Sequence, residues 1–66
     1  MQIRNLTRTE ADYLQVVCNF TEEENALFEL RLRDISLEEC AERRNISVPT
    51  ISRLHKRVLD KIEKEY

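Results

Sequence analysis

The chain has 66 residues, 41% of them hydrophobic and 36% charged, with no glycine, one proline and a net charge of −2. This length allows one domain with a small core, and the composition is too apolar for a disordered segment and too poor in turn formers for an all-β fold. The longest plain apolar run, Val16-Val17-Cys18, is far too short to span a membrane. Because polar residues follow Met1, we expect no secretory signal peptide and a cytoplasmic protein.

Helix formers such as Leu, Glu, Arg and Lys dominate the sequence, so we expect an all-α fold of four helices, a trihelical core plus an N-terminal helix. Capping boxes of the Ser/Thr-x-x-Glu type predict helix starts at Thr7, Thr21 and Ser36. Ser47 can cap the last helix, with Pro49 in its first turn. The single domain, residues 1–66, is predicted to have helices at about 8–19, 21–33, 36–44 and 48–64.

Each predicted helix carries apolar residues three and four positions apart, which indicates a side that packs into the core. The members of these stripes are Ala11, Leu14 and Cys18; Leu27 and Leu30; Leu37, Cys40 and Ala41; and Ile51, Leu54, Val58 and Ile62.

The cysteines, Cys18 and Cys40, could form one disulfide, but neither belongs to a Cys-x-x-Cys pair, and the single histidine, His55, has no partner at metal-ligand spacing. We interpret both as small buried hydrophobic residues in a reducing compartment, with a zinc site or thiol chemistry as the alternative. No cofactor is expected. A chain this short without a metal or disulfide gains stability from a partner surface, which favours a dimer or a docked state.

Catalysis has little support. The sequence offers one histidine, no glycine-rich phosphate loop, and no set of nucleophile, base and acid. We therefore expect a protein that is not an enzyme.

The segment between the third and fourth predicted helices is the most informative part of the chain. Two helices separated by about three residues must cross steeply. Such a crossing requires a small residue at the contact, a turn residue that tolerates positive φ, and an apolar residue of the second helix that packs between the two helices. Ala41, Asn45 and Ile51 fill these roles in order. We predict a helix-turn-helix at roughly residues 36–62.

Charge is distributed unevenly along the chain. Residues 21–42 contain eight acids and two bases, whereas residues 43–61 contain six bases and one acid, Asp60. A net charge of −2 argues against a nucleic-acid binder, but this clustering predicts a basic face at one end of the molecule. A plain solvated helix surface would explain the same pattern.

If Ile51, Leu54 and Val58 face the core, the opposite side of the last helix is left for solvent or a ligand. That side is basic and begins with small residues, which suits insertion into the DNA major groove. Arg53 is the best candidate for a guanine contact, because its guanidinium can bind in a bidentate manner. An ion pair with Asp60 is the alternative for Arg57, and His55 is expected on the lateral surface. The predicted base-contacting residues are Pro49, Ser52, Arg53 and Lys56, and the predicted phosphate-contacting residues are Arg43, Arg44, Ser47, Thr50 and Arg57.

Several segments between residues 20 and 62, about two-thirds of the chain, match a known pattern. They are Phe20-Thr21, Glu24, Leu27-Phe28 and Leu30-Arg31 in the second predicted helix, Ser36-Leu37-Glu38-Glu39, Ala41-Glu42 and Ile46-Ser47 in the next helix and turn, and Thr50-Ile51-Ser52 and Val58-Leu59-x-Lys61-Ile62 in the last helix. With these segments the chain resembles region four of bacterial sigma factors and sigma-like phage or mobile-element regulators, with the C-terminal domains of LuxR-type regulators as a second match. The resemblance implies a sequence-specific transcriptional regulator whose partners are promoter-proximal DNA and RNA polymerase.

The sequence departs from that family in two ways. Arg44 stands where the family usually has an apolar residue such as Leu, which would loosen the core or place a base at the turn. A single domain also lacks the regions that a complete sigma factor uses to bind core polymerase and open DNA, so we expect a small repressor, activator or sigma-like accessory protein.

Two other functions fit the same sequence. The protein could be an interaction module that binds RNA polymerase or another regulator through its acidic helices. A third possibility combines DNA binding with protein interaction, and in it the first helix and the C-terminal tail (Leu59, Ile62 and Tyr66) form a dimer seam. Salt-dependent DNA affinity and sedimentation distinguish these alternatives.

Overall fold

A computed structural model describes residues 2–65, and within that range the chain forms four α-helices and no strand. The predicted all-α fold of four helices is confirmed. The helices begin and end within one or two residues of the predicted positions. A 3-10 turn at Ile3–Asn5 precedes them and was not predicted. The helices are α1 (Arg8–Val17), α2 (Glu22–Leu32), α3 (Leu37–Arg44) and α4 (Val48–Glu65).

The predicted caps determine where the helices begin. Thr7 and Thr21 form complete capping boxes, in which the threonine hydroxyl accepts from the backbone N–H three residues later and the glutamate there accepts from the threonine N–H. At Ser36 only the first half forms, since the Ser36 hydroxyl accepts from the N–H of Glu39 at 3.2 Å. The Glu39 carboxylate instead pairs with Arg43 at 3.5 Å.

The residues that follow the first three helices take the left-handed backbone conformation. Asn19, Asp34 and Asn45 have φ of 52°, 61° and 54°, which Asn and Asp tolerate better than other non-glycine residues. After α3, the N–H of Ile46 donates to the carbonyl of Ala41 at 2.9 Å, which is the long bond of a Schellman motif. The chain therefore makes its tight exits from helices without glycine.

The core lies where α2, α3 and α4 meet, and α1 packs against α4. The side chains of Ile51, Val58 and Ile62 on α4 are fully buried, while Leu54 lies half-buried at the edge. Ile3 adds a buried side chain that the helical stripes did not predict. The buried hydrophobic residues are Ile3, Ala11, Leu14, Cys18, Leu27, Phe28, Cys40, Ala41, Ile51, Val58 and Ile62.

The two cysteines are buried, unpaired thiols, as the sequence predicted. Cys18 lies at the end of α1 and donates to the carbonyl of Lys61 in α4 at 3.6 Å, and Cys40 lies in α3. Burial raises the pKa of both thiols, which disfavours the reactive thiolate. Among the helices described, none is long and apolar enough to cross a bilayer.

Candidate nucleic-acid interface

The connection between α3 and α4 positions the candidate site. Only Asn45, Ile46 and Ser47 separate the two helices. Ala41 is 3% exposed and Ile51 is fully buried, while Asn45 adopts the predicted left-handed conformation. Since these core contacts hold one side of α4, its first turns present the other side to solvent.

Hydroxyl groups organise the first turn of α4. The Ser47 Oγ accepts from the N–H of Thr50 at 3.4 Å and donates to the Thr50 Oγ1 at 2.8 Å. Ser47 therefore caps the helix as predicted, and the Thr50 hydroxyl keeps its own proton free to donate. Pro49 occupies the second helical position, where a backbone N–H has no partner within the helix.

The residues predicted to contact DNA bases all lie exposed on α4. At about 100° of rotation per residue, Pro49, Arg53 and Lys56 point away from the buried side marked by Ile51. Ser52 borders one edge of this surface. We call this surface the α4 face; its exposed residues are Ser47, Val48, Pro49, Thr50, Ser52, Arg53, Lys56 and Arg57.

Ion pairs separate the six bases of residues 43–61 into two groups. Three are neutralised by acids of α2 or α3: Arg43 by Glu39, Arg44 by Glu23, and Lys61 by Glu24. The other three, Arg53, Lys56 and Arg57, form no ion pair with any residue from 2 to 65. The alternative pairing of Arg57 with Asp60 is thus not formed. The positive charge left without an acidic partner in this segment is concentrated on the α4 face.

Arg44 is engaged differently from the other predicted phosphate contacts. Its guanidinium makes two hydrogen bonds to the Glu23 carboxylate, at 2.6 and 3.3 Å, and so joins α3 to the first turn of α2. The Arg44 side chain is 34% exposed. A phosphate at this position would have to compete with Glu23. Sequence reasoning missed Glu23, because no local pattern links two residues 21 positions apart.

A groove of about 240 Å³ lies along one edge of the α4 face. Ile46 and Leu54 supply apolar surface, and Arg53, Arg57 and Thr50 supply cationic and hydroxyl groups. Glu23 also lines the groove, with its charge partly neutralised by Arg44. Two guanidinium groups near an apolar surface form a site for an anionic group next to a nonpolar one.

His55 does not add a positive charge to this face at neutral pH. Burial, together with the nearby charge of Arg31, lowers the pKa of His55 below its usual value. The side chain lies half-buried against the fold, rather than on the lateral surface as expected.

The predicted dimer seam is only partly available. Ile62 is fully buried in the core of its own chain, and Leu59 is half-buried against that core. Tyr66 lies outside the described residues. The first helix, which is the other part of the predicted seam, does have exposed apolar side chains.

Comparisons with protein-family models, curated proteins and solved structures returned no match. From Gln2 to Glu65, no group of three or more His, Cys, Asp or Glu residues is arranged to hold a metal ion.

Proposed function

We propose that this protein is a sequence-specific DNA-binding transcriptional regulator that acts in the cytoplasm and inserts α4 into the major groove of double-stranded DNA. The observation that carries the proposal is the concentration of unpaired bases, Arg53, Lys56 and Arg57, on the side of α4 that faces away from the core. The resemblance to region four of sigma factors supports the same function and adds RNA polymerase as a proposed partner.

The DNA groups that we propose each residue contacts differ from one turn of α4 to the next. Small residues at the start of α4, Ser47, Pro49 and Thr50, allow the helix end to approach the DNA closely, and the Thr50 hydroxyl can donate to a phosphate oxygen. Arg53 and Lys56, one and two turns further, reach base edges in the groove. Arg57 lies at the flank, where it meets the phosphate backbone.

The overall negative charge is compatible with this function because the segment that forms the α4 face contains no acid. No acidic residue occurs between Arg43 and Asp60, whereas α2 begins with three consecutive glutamates. A duplex is therefore attracted to the α4 face and repelled by the first turn of α2. This arrangement selects one orientation of the protein on the duplex.

Fluorescence anisotropy on a random duplex at about 50 and 200 mM salt tests the proposal. On a random duplex, where no base-specific contacts form, Arg53, Lys56 and Arg57 are each expected to neutralise one phosphate, so the wild-type affinity should fall about 40-fold between these conditions. The double substitution Arg53→Glu/Lys56→Glu should abolish binding at both.

Arg33→Glu/Lys64→Glu is the matched control, because it makes the same change in net charge at two exposed bases outside the α4 face. It should weaken binding only slightly. Equal loss of affinity in the two double variants, or no binding by the wild type at low salt, would refute DNA binding through α4.

A further inference from the structure

Helix α1 has apolar side chains on two sides. Ala11 and Leu14 are buried against the rest of the fold, whereas Tyr13 and Val16 are 57% and 79% exposed. Thr9, Tyr13 and Val16 are spaced four and three residues apart, so they form one stripe on the outer side of the helix. A single exposed valine is ordinary on a protein surface, but an aromatic and an aliphatic side chain next to each other suggest a contact surface.

Unpaired acids border this stripe. Glu10 and Glu65 line a hollow of about 400 Å³ together with Thr9, Tyr13 and Leu14. Neither carboxylate forms an ion pair within the described chain. We call the surface formed by Thr9, Glu10, Tyr13, Val16 and Glu65 the α1 surface.

The nearest base along α1 does not neutralise these acids. Arg8 pairs with Asp12 at 2.9 Å and with Glu29 of α2 at 3.4 Å. The guanidinium is thus held toward α2. Arg8 therefore does not neutralise Glu10 or Glu65 at the rim of the α1 surface.

We propose that the α1 surface docks a basic amphipathic helix of another protein. Apolar side chains of that helix would cover Tyr13 and Val16, and its flanking lysine or arginine residues would reach Glu10 and Glu65. DNA is excluded as the occupant because its phosphates would meet these carboxylates. A second copy joined symmetrically through the same surface would place like charges together, which is unfavourable.

This docking is separate from the proposed DNA contact. The α1 surface shares no residue with the α4 face, which consists of residues from 47 to 57. A basic partner and a duplex can therefore be bound by different residues of the same molecule, and each interaction can be removed without the other.

The proposal can be tested with a synthetic helical peptide that has leucines along one face and lysines on both flanks. This peptide is titrated into the ¹⁵N-labelled protein. We expect amide shift changes centred on Tyr13 and Val16. The same peptide with glutamate in place of each lysine should not bind. Val16→Asp should lower the affinity about tenfold or more, as expected for loss of a buried apolar contact, even though it adds a negative charge.

Val48→Asp is the matched control, since Val48 is 45% exposed on α4 and undergoes the same chemical change. It should leave peptide binding unchanged. Both substitutions are at exposed positions, so the circular dichroism spectra should match that of the wild type. DNA affinity should be unaffected by Val16→Asp.

Several results would overturn the proposal. One is peptide binding that Val16→Asp leaves unchanged or strengthens, because a purely electrostatic attraction would behave in that way. Another is failure of the basic peptide to bind at low salt. A wild-type dimer that Val16→Asp converts to a monomer in sedimentation would assign the α1 surface to a second copy instead.

Discussion

At the scale of single residues, one carboxylate oxygen of Glu24 joins two parts of the fold. The Oε1 of Glu24 accepts from the Thr21 N–H at 2.9 Å, which completes the capping box of α2, and also from the Nζ of Lys61 in α4. The Glu24 side chain is only 3% exposed. Lys61 also donates to the carbonyl of Asn19 at 3.5 Å, so it links α4 to the segment between α1 and α2.

Burial alone would raise the pKa of Glu24, but the hydrogen bonds and the charge of Lys61, with the bonds from Thr21, outweigh it and lower that pKa. A carboxyl whose pKa is depressed in the folded state stabilises the fold above its unfolded value of about 4.3, and this contribution is lost as the pH falls through the folded value. Glu24 therefore stabilises the protein at neutral pH.

We predict that Glu24→Gln lowers the free energy of unfolding by about 1–3 kcal/mol at pH 7. Gln can still serve in the capping box, but it cannot offer a charge to Lys61. Urea unfolding followed by circular dichroism should show the gap between wild type and variant closing between pH 5 and pH 3. Glu22→Gln, in the same turn and exposed, is the control and should have little effect. A gap that stays constant over this pH range would contradict the prediction.

At the scale of helices and turns, local sequence predicts much of the structure. Thr7, Thr21 and Ser36 predict the starts of helices because a cap acts on residues three positions away. Asn45 predicts the end of α3 for a similarly local reason, its tolerance of positive φ. The burial of Ile3 could not be predicted in this way, because it depends on packing of the 3-10 turn against α2.

We predict that Asn45→Ala destabilises the protein by about 1–2 kcal/mol, because alanine is strained in the left-handed conformation that this residue adopts. Asn45→Gly should change the free energy of unfolding by less than about 0.5 kcal/mol, since relief of strain offsets the greater freedom of the unfolded chain. Thermal unfolding of both variants gives the comparison. Arg43→Ala, at an exposed helical position, is the control for general effects of alanine. Equal stability of the Asn45→Ala and Asn45→Gly variants would show that the turn imposes no such constraint.

Some features of the candidate site can likewise be predicted from local sequence, whereas others depend on contacts between distant residues. Helical spacing alone predicts which residues of α4 are exposed, and the structure agrees for Pro49, Ser52, Arg53 and Lys56. Spacing cannot predict which bases are neutralised. The pairs of Arg44 with Glu23 and Lys61 with Glu24 join residues 21 and 37 positions apart, and they form only because α2 packs against α3 and α4.

At the scale of the whole molecule, acidic and basic surfaces meet along the groove beside α4. Glu23 faces this groove together with Arg53 and Arg57. Its bond to Arg44 is a surface ion pair, with the two side chains 50% and 34% exposed, so it adds little to stability. Its larger effect is on the electrostatic potential that a bound phosphate would meet.

We predict that Glu23→Gln raises the affinity for a random duplex about two- to fivefold at low salt. The substitution removes a negative charge beside Arg53 and Arg57, and it releases Arg44 to contact a phosphate. The increase should shrink at higher salt, where such interactions are screened. Anisotropy titrations should compare it with Glu63→Gln, which makes the same charge change at an exposed position later in α4. Similar gains for both variants would mean that Glu23 has no special position relative to bound DNA.

The two buried cysteines give the fold a pair of internal reporters. Cys18 lies at the C-terminal end of α1, where its thiol contacts the Lys61 carbonyl of α4, and Cys40 lies in α3 with no exposed surface. Cys40 reacts with a thiol-alkylating reagent only when the surrounding structure opens, and Cys18, which is 8% exposed, reacts mainly in that way. Labelling rates at these two positions, separated by mass spectrometry, therefore measure how often the structure opens around the end of α1 and around α3.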